Sequence, residues 1–177
     1  MKQTSKCALG GITAALSLTV LISVALVPFM TYALPAFAGA LLIIMVVETD
    51  KKWAFGVYAV VSVLGIFLVP EKEVAAMYLA FFGYYPILKA AIEAHVPAFP
   101  AMLIKLAVFL ASMTASYAVM IELMGLTLDE MDEYGMWGAV MLLGLGAFAF
   151  VFYDFALTRL ITLYVNKWRK HFKKYFK

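Results

Sequence analysis

Six apolar segments, separated by short polar connections, fill most of this chain. They cover residues 7–29, 32–47, 53–69, 74–91, 99–124 and 135–157. A helix needs about 20 mostly apolar residues to cross the hydrocarbon core of a bilayer, and these segments reach or approach that length. Hydrophobic residues make up 66% of the 177 residues and charged residues only 14%, which is more apolar surface than a water-soluble domain of this size can bury. The sequence therefore predicts an all-α integral membrane protein.

The predicted architecture is a single bundle of six transmembrane helices, which puts both termini on the same side of the membrane. The basic residues are concentrated on that side, whereas Lys72 is alone on the other. The side with both termini carries Lys2, Lys6, Lys51, Lys52, Lys89, Arg159 and the C-terminal cluster. Because Lys and Arg are enriched in cytoplasmic loops, we expect cytoplasmic termini and a multi-pass location in a bacterial or archaeal plasma membrane.

A cleavage site after the first segment is the main alternative to six spans. The tripeptide Ala36-Phe37-Ala38 has the small-residue pattern that signal peptidase recognises, and it follows a basic start. However, the apolar stretch before it is much longer than the roughly 7–15 residues of a signal-peptide core, and apolar sequence resumes directly after it. We therefore expect the first segment to be retained as a transmembrane helix.

Two local features modify the helical segments. Pro86 interrupts the fourth segment, and a proline inside a helix removes a backbone hydrogen bond and kinks it, so the fourth helix should bend or break there. Residues 158–177 form a basic tail in which Trp168, Phe172 and Tyr175 alternate with Lys and Arg at helical spacing. We expect this tail to extend the last helix along the anionic inner leaflet and to contact membrane lipid rather than nucleic acid.

The motifs of common enzyme and metal sites are missing from the sequence. It contains no nucleophile elbow, zinc-protease motif, paired-cysteine motif or phosphate-binding glycine loop. Cys7 is the single cysteine, and His95 and His171 have no neighbouring ligands at metal spacing. We therefore expect a protein that is not an enzyme and that carries no metal or cofactor.

Four charged residues lie in or near the later spans, in the half predicted to face the cytoplasm: Lys89, Lys105, Asp154 and Arg159. Charges in apolar segments are costly unless they are paired. One interpretation is that they pair across helices, with Asp154 bound to Lys89 or Lys105, and extend toward the interface. The alternative is a polar inner cluster that couples the protein to another subunit.

A second group lies toward the predicted outer ends of helices four to six. It consists of Tyr78, Phe81, Tyr117, Glu122 and Trp137. Aromatic faces together with one carboxylate could bind a small planar or cationic molecule that arrives from outside. The alternative is an aromatic belt at the membrane interface, where Trp and Tyr commonly lie.

Small residues on helix one predict a close helix–helix contact. Gly10, Gly11, Ala14 and Ala15 recur at a spacing of four residues and so share neighbouring strips of the helix surface. Small side chains let two transmembrane helices approach closely. The partner helix could belong to this chain or to another protein.

The start of helix one and the overall topology resemble the substrate-binding S components of energy-coupling factor (ECF) vitamin transporters. The resembling residues are Lys6-Cys7-Ala8-Leu9-Gly10-Gly11-Ile12-Thr13-Ala14-Ala15-Leu16. The resemblance implies that Gly10, Gly11, Ala14 and Ala15 dock on a transmembrane coupling subunit, while separate ATPase subunits hydrolyse ATP.

The same resemblance implies a pocket for a vitamin-like micronutrient on the outer side of helices four to six. Its candidate residues are Tyr78, Phe81, Tyr117, Glu122 and Trp137, with Tyr32 and Lys72 on the loops that cap it. The alternative function is a stand-alone small secondary transporter, or a structural subunit of a membrane complex. A transporter of that kind commonly has paired broken helices, and the sequence shows one break, at Pro86.

Overall fold

The computed structural model describes residues 2–124 and 135–169, and this part of the chain is helical, without any strand. The α-helices are α1 (Gln3–Ile22), α2 (Ala33–Glu48), α3 (Lys51–Leu68), α4 (Lys72–Met77), α5 (Tyr85–Ile92), α6 (Ala98–Met124) and α7 (Gly135–Leu163). Short 3-10 turns at Ser23–Ala25 and Pro28–Met30 connect α1 to α2, and π-helical turns occupy Tyr78–Phe82 and Tyr164–Trp168. The prediction of an all-α fold is confirmed for the described residues.

Within the described residues, five helical stretches are long and apolar enough to cross a membrane: Gln3–Ala25, Lys51–Leu68, Lys72–Ile92, Ala98–Ser116 and Gly144–Lys167. The remaining apolar helix, α2, has 16 residues. Large apolar side chains such as Phe37, Phe67 and Phe148 are more than half exposed on the helix surfaces. These are the features of a multi-pass membrane protein whose outer faces contact lipid. The count of six spans and the side on which the termini lie stay predictions.

The fourth apolar segment is broken, as Pro86 predicts. It comprises α4, the π-helical turn Tyr78–Phe82 and α5, and Pro86 lies in the first turn of α5. A proline is tolerated there because the first N–H groups of a helix have no acceptor within the helix. The π-helical turn closes with a 2.8 Å hydrogen bond from the Gly83 amide to the Tyr78 carbonyl. The segment predicted over 74–91 therefore consists of two short helices joined through a π-helical turn.

The core has two parts. In the first, α1 packs on α2 and α3 around fully buried side chains that include Leu21, Leu42 and Val61. In the second, the rings of Phe81, Phe109 and Phe150 join the π-helical turn to α6 and α7, with centroids 4.8–5.7 Å apart. The second part holds the broken segment against the last two helices.

Both ends of the described chain meet at the turn between α2 and α3. Lys6, near the start of α1, forms a 2.7 Å ion pair with Asp50, and Arg169 Nε lies 3.2 Å from Glu48 Oε1. The hydrogen bond from Lys6, with its positive charge, lowers the pKa of the exposed Asp50 carboxyl below its usual value. As predicted, the first part of the 158–177 tail extends the last helix, because α7 continues through Leu163 and into the π-helical turn. Residues 170–177 of the predicted tail lie outside the described residues.

Candidate functional site

Four charged side chains from three helices form a closed set of ion pairs inside the bundle, which we call the charged quartet: Lys89, Glu93, Lys105 and Asp154. Lys89 Nζ donates to Asp154 Oδ1 at 2.6 Å and to Glu93 Oε1 at 2.7 Å. Lys105 Nζ donates to Asp154 Oδ2 at 2.8 Å and again to Glu93 Oε1, at 2.7 Å. Two ammonium groups and two carboxylates alternate, so the formal charges of the quartet cancel.

The break in the fourth segment positions two members of the quartet. Lys89 and Glu93 lie one turn apart at the C-terminal end of α5, so their side chains share a helix face. Lys105 comes from the first part of α6 and Asp154 from α7. The Tyr85 hydroxyl, from the first residue of α5, also donates to Asp154 Oδ1. Asp154 thus joins α5 and α6 to α7.

Burial divides the quartet into an inner and an outer part. The side chains of Lys89 and Lys105 are 1% and 4% exposed and that of Asp154 is 12% exposed, whereas that of Glu93 is 42% exposed. Burial raises the pKa of the Glu93 carboxyl, but the hydrogen bonds from Lys105 and Lys89 outweigh this effect and lower it overall. Glu93 is therefore ionised at neutral pH, and the two buried ammonium groups are neutralised locally.

The sequence predicted part of this arrangement. The pairing of Asp154 with the buried lysines is confirmed, and it involves both Lys89 and Lys105. The structure adds Glu93, whose spacing of four residues from Lys89 was the available signal, and Tyr85, which had no such signal. Arg159 is separate from the quartet: it is exposed on α7, with its guanidinium 5.0 Å from the centroid of the Phe155 ring.

Two residues of the predicted substrate pocket are closed off inside the core. Tyr78 and Phe81 are both 0% exposed. The Phe81 ring packs on Tyr85, at 4.7 Å between centroids, as well as on α6 and α7. The Tyr78 ring lies 6.2 Å from that of Tyr58, and its hydroxyl has no hydrogen-bond partner among the described residues. Their role in binding a substrate stays a prediction.

The other residues of that pocket are less fully defined. The side chains of Tyr117 and Trp137 lie outside the described part of the structure. Glu122 is exposed on α6. Of the two residues predicted on capping loops, Tyr32 is 64% exposed, and Lys72 donates to the Ile66 and Val69 carbonyls at the end of α3.

The small residues of α1 fall on two different faces. Gly10 is buried, and a Cβ there would lie 3.3 Å from Val57 Cγ2 on α3. Ala14 is half-buried against the same core. Gly11 and Ala15 are exposed, and a Cβ at position 11 would have no heavy atom within 4 Å. The predicted docking group therefore splits into an inner pair, which packs within this chain, and an outer pair, which faces away from it.

Comparison with protein families, with characterised proteins and with solved structures finds no match for this chain. Within residues 2–124 and 135–169, no group of three or more His, Cys, Asp or Glu side chains is placed to hold a metal ion. The charged quartet and the outer face of α1 are the two features from which a function can be developed.

Proposed function

We propose that this protein is the substrate-binding membrane subunit of an ECF-type importer. In this role it captures a small vitamin-like micronutrient from outside and delivers it together with a separate transmembrane coupling subunit and ATPase subunits. The outward-facing small residues of α1, Gly11 and Ala15, are the observation that carries the proposal.

The packing of α1 supports a docking role for this face. Its inner face buries Leu9, Thr13 and Leu21 against α2 and α3, so these contacts within the chain do not need Gly11 or Ala15. Small residues would give no packing advantage to a helix surface that contacts lipid alone, because lipid tails pack equally well on larger apolar side chains. Exposed small residues instead let the backbone of a second helix approach closely.

The topology of the proposal counts α2 as the sixth span, with both termini in the cytoplasm. The 16 residues of α2 are about 24 Å long at 1.5 Å per residue, somewhat less than the hydrocarbon thickness of a bilayer. Local thinning of the bilayer accommodates a short span at modest cost. This orientation agrees with the basic residues near the turn between α2 and α3, where Lys6 and Arg169 lie.

Affinity purification from membranes of the native host tests the docking role. We compare the tagged wild-type protein with Gly11→Leu and with Gly56→Leu, since Gly56 is a second exposed glycine with open space around it, on α3. The expected result is that a transmembrane subunit and ATPases co-purify with the wild type and with Gly56→Leu. Gly11→Leu should lose them while remaining folded, because a leucine there keeps the partner helix at a distance.

Wild-type protein that purifies without ATPases under gentle conditions would contradict the proposal and favour a stand-alone transporter or a structural subunit. Denaturing extraction of the same samples, followed by mass spectrometry, tests for a retained small molecule. A stoichiometric metabolite that is lost in Glu122→Ala would support the predicted pocket on the outer side.

A further inference from the structure

Glu93 is the member of the charged quartet that can leave it at least cost. Its side chain is 42% exposed, whereas those of its two lysine partners are 1% and 4% exposed. A carboxylate that is already in contact with water completes its hydration by a small outward movement, but a buried ammonium must take its whole side chain with it. Residues 93–95 are all exposed, so this side of the quartet is in contact with solvent in the described structure.

The helix end itself does not favour a carboxylate at this position. Glu93 is the C-cap residue of α5, where the aligned peptide dipoles present partial negative charge. The Glu93 carboxylate is therefore kept at this helix end by its attraction to Lys89 and Lys105. Asp154 is different, because it lies within α7 and also accepts from Tyr85.

A single oxygen atom of Glu93 makes both contacts. Lys89 Nζ and Lys105 Nζ each donate to Oε1 at 2.7 Å, so the two ammonium groups are one hydrogen bond away from the same point. The position between the two ammonium groups can therefore be filled by one negatively charged oxygen atom. Any oxyanion that reached it from the exposed side would make the same two charge-assisted hydrogen bonds.

We propose that Lys89 and Lys105 form a binding site for a singly charged oxyanion, and that Glu93 occupies this site until a phosphodiester displaces it. Asp154 fixes the two lysines from the interior and stays in place during the exchange. The proposal does not depend on the transport function.

The charges of the quartet select the ligand. When Glu93 turns into water, two ammonium groups and one carboxylate remain, with a formal charge of +1. A monoanion restores neutrality, whereas a dianion would leave an excess negative charge in a buried site. Phosphodiesters are monoanions at neutral pH. A membrane phospholipid such as phosphatidylglycerol is the source that we expect, because the site opens where α5 ends and α6 begins, between two membrane-spanning stretches.

Native mass spectrometry on the full-length, delipidated protein in non-ionic detergent tests this site. Phosphatidylglycerol and phosphatidylcholine are titrated separately into the wild type, Glu93→Gln and Glu71→Gln. The last is the matched control, because Glu71 lies at the other end of the bundle, 3.5 Å from Thr31. We expect Glu93→Gln to bind phosphatidylglycerol at least tenfold more tightly than the wild type and Glu71→Gln do, because a tethered carboxylate no longer competes for the site.

A further variant separates this site from unspecific attraction to the basic tail. The double variant Glu93→Gln with Lys105→Met keeps the tail but leaves Lys89 and Asp154 as a neutral pair, so it should lose the tenfold gain. Dimethyl phosphate, a soluble phosphodiester without acyl chains, identifies the source of the ligand. Displacement of the lipid by millimolar dimethyl phosphate would assign the site to soluble phosphodiesters, and its failure to compete would assign the site to lipid.

Equal binding of phosphatidylglycerol by the wild type, Glu93→Gln and the double variant would overturn the proposal. If Glu93→Gln alone fails to yield folded protein, the double variant Glu93→Gln with Lys105→Met, in which Lys89 and Asp154 balance each other, is compared directly with the wild type. The wild type should then retain phosphatidylglycerol in preference to phosphatidylcholine, and the double variant should lose that preference. Absence of any preference in the wild type counts against the site.

Discussion

Gly39 of α2 lies directly against the backbone of Phe82, so that a Cβ at position 39 would overlap the Phe82 carbonyl oxygen. The obstacle is backbone at the end of the π-helical turn, which cannot rotate away as a side chain could. We therefore predict that Gly39→Ala destabilises the protein by about 2 kcal/mol or more, by forcing α2 away from the turn. Thermal or denaturant unfolding in mixed micelles measures this change.

Gly56→Ala is the matched control for Gly39→Ala, because position 56 on α3 has open space around it. Alanine is a better helix former than glycine, so Gly56→Ala should be neutral or should stabilise by up to about 1 kcal/mol. If Gly39→Ala were as stable as Gly56→Ala, the close approach of α2 to Phe82 would be refuted.

The two neighbouring glycines of α1 should respond differently to the same substitution. Gly10→Leu places a large side chain where a Cβ would already lie 3.3 Å from Val57 Cγ2, so it should destabilise the isolated protein by about 1–3 kcal/mol. Gly11→Leu projects into open space and should leave the unfolding free energy within about 0.5 kcal/mol of the wild-type value. Equal losses in both variants would show that position 11 is also packed within the chain.

Some of these features follow from the sequence and others do not. The pairing of Asp154 with buried lysines was predictable because an ionised group in an apolar span must find a partner. The break near Pro86 was predictable because proline cannot donate a backbone hydrogen bond. Both inferences depend on the chemistry of single residues, which sequence records directly.

The burial of Tyr78 and the contact of Gly39 with Phe82 could not be predicted from the sequence, for a physical reason. A transmembrane helix is apolar on all sides, so hydrophobicity does not distinguish the side that faces the core from the side that faces lipid. The sequence therefore could not show that Tyr78 and Phe81 are enclosed, or that Gly10 and Gly11 face opposite environments. The Gly39 contact also depends on the position of a carbonyl in a π-helical turn, which tertiary packing determines.

The free energy of unfolding should decrease much more when one member of the charged quartet is lost than when a matched pair of opposite charges is removed. Asp154→Asn leaves two buried ammonium groups with Glu93 as their one carboxylate partner in the quartet, so it should destabilise by about 3–5 kcal/mol. Adding Lys105→Met to Asp154→Asn leaves the pair of Lys89 and Glu93. The double variant should therefore lose less free energy than the sum of the single variants.

Arg159→Met is the control for that cycle, because Arg159 is exposed and lies over the Phe155 ring rather than in the quartet. Its loss should cost about 1 kcal/mol or less. Additive effects of Asp154→Asn and Lys105→Met, measured by the same unfolding assay, would contradict the direct coupling of these two side chains.

The ion pair between Lys6 and Asp50 predicts a stability difference that depends on pH. The lowered pKa of Asp50 means that the folded protein holds this carboxylate ionised more readily than the unfolded chain does. The stabilisation is therefore fully present above the unfolded pKa of about 3.9, and it is lost as the pH falls through the lower folded value. Asp50→Asn removes the charge, and since the Asp50 side chain makes no capping hydrogen bond to α3, this substitution affects little else.

Thermal midpoints of the wild type and Asp50→Asn, measured side by side from pH 6 to pH 2.5 at low salt, test this prediction. We expect a small advantage of the wild type at pH 6 that disappears at the acidic end, because protonated Asp50 no longer attracts Lys6. Salt should reduce the advantage at pH 6, since both side chains contact water and their attraction is screened. An advantage that persisted unchanged at pH 2.5 would show that Asp50 acts through something other than its charge.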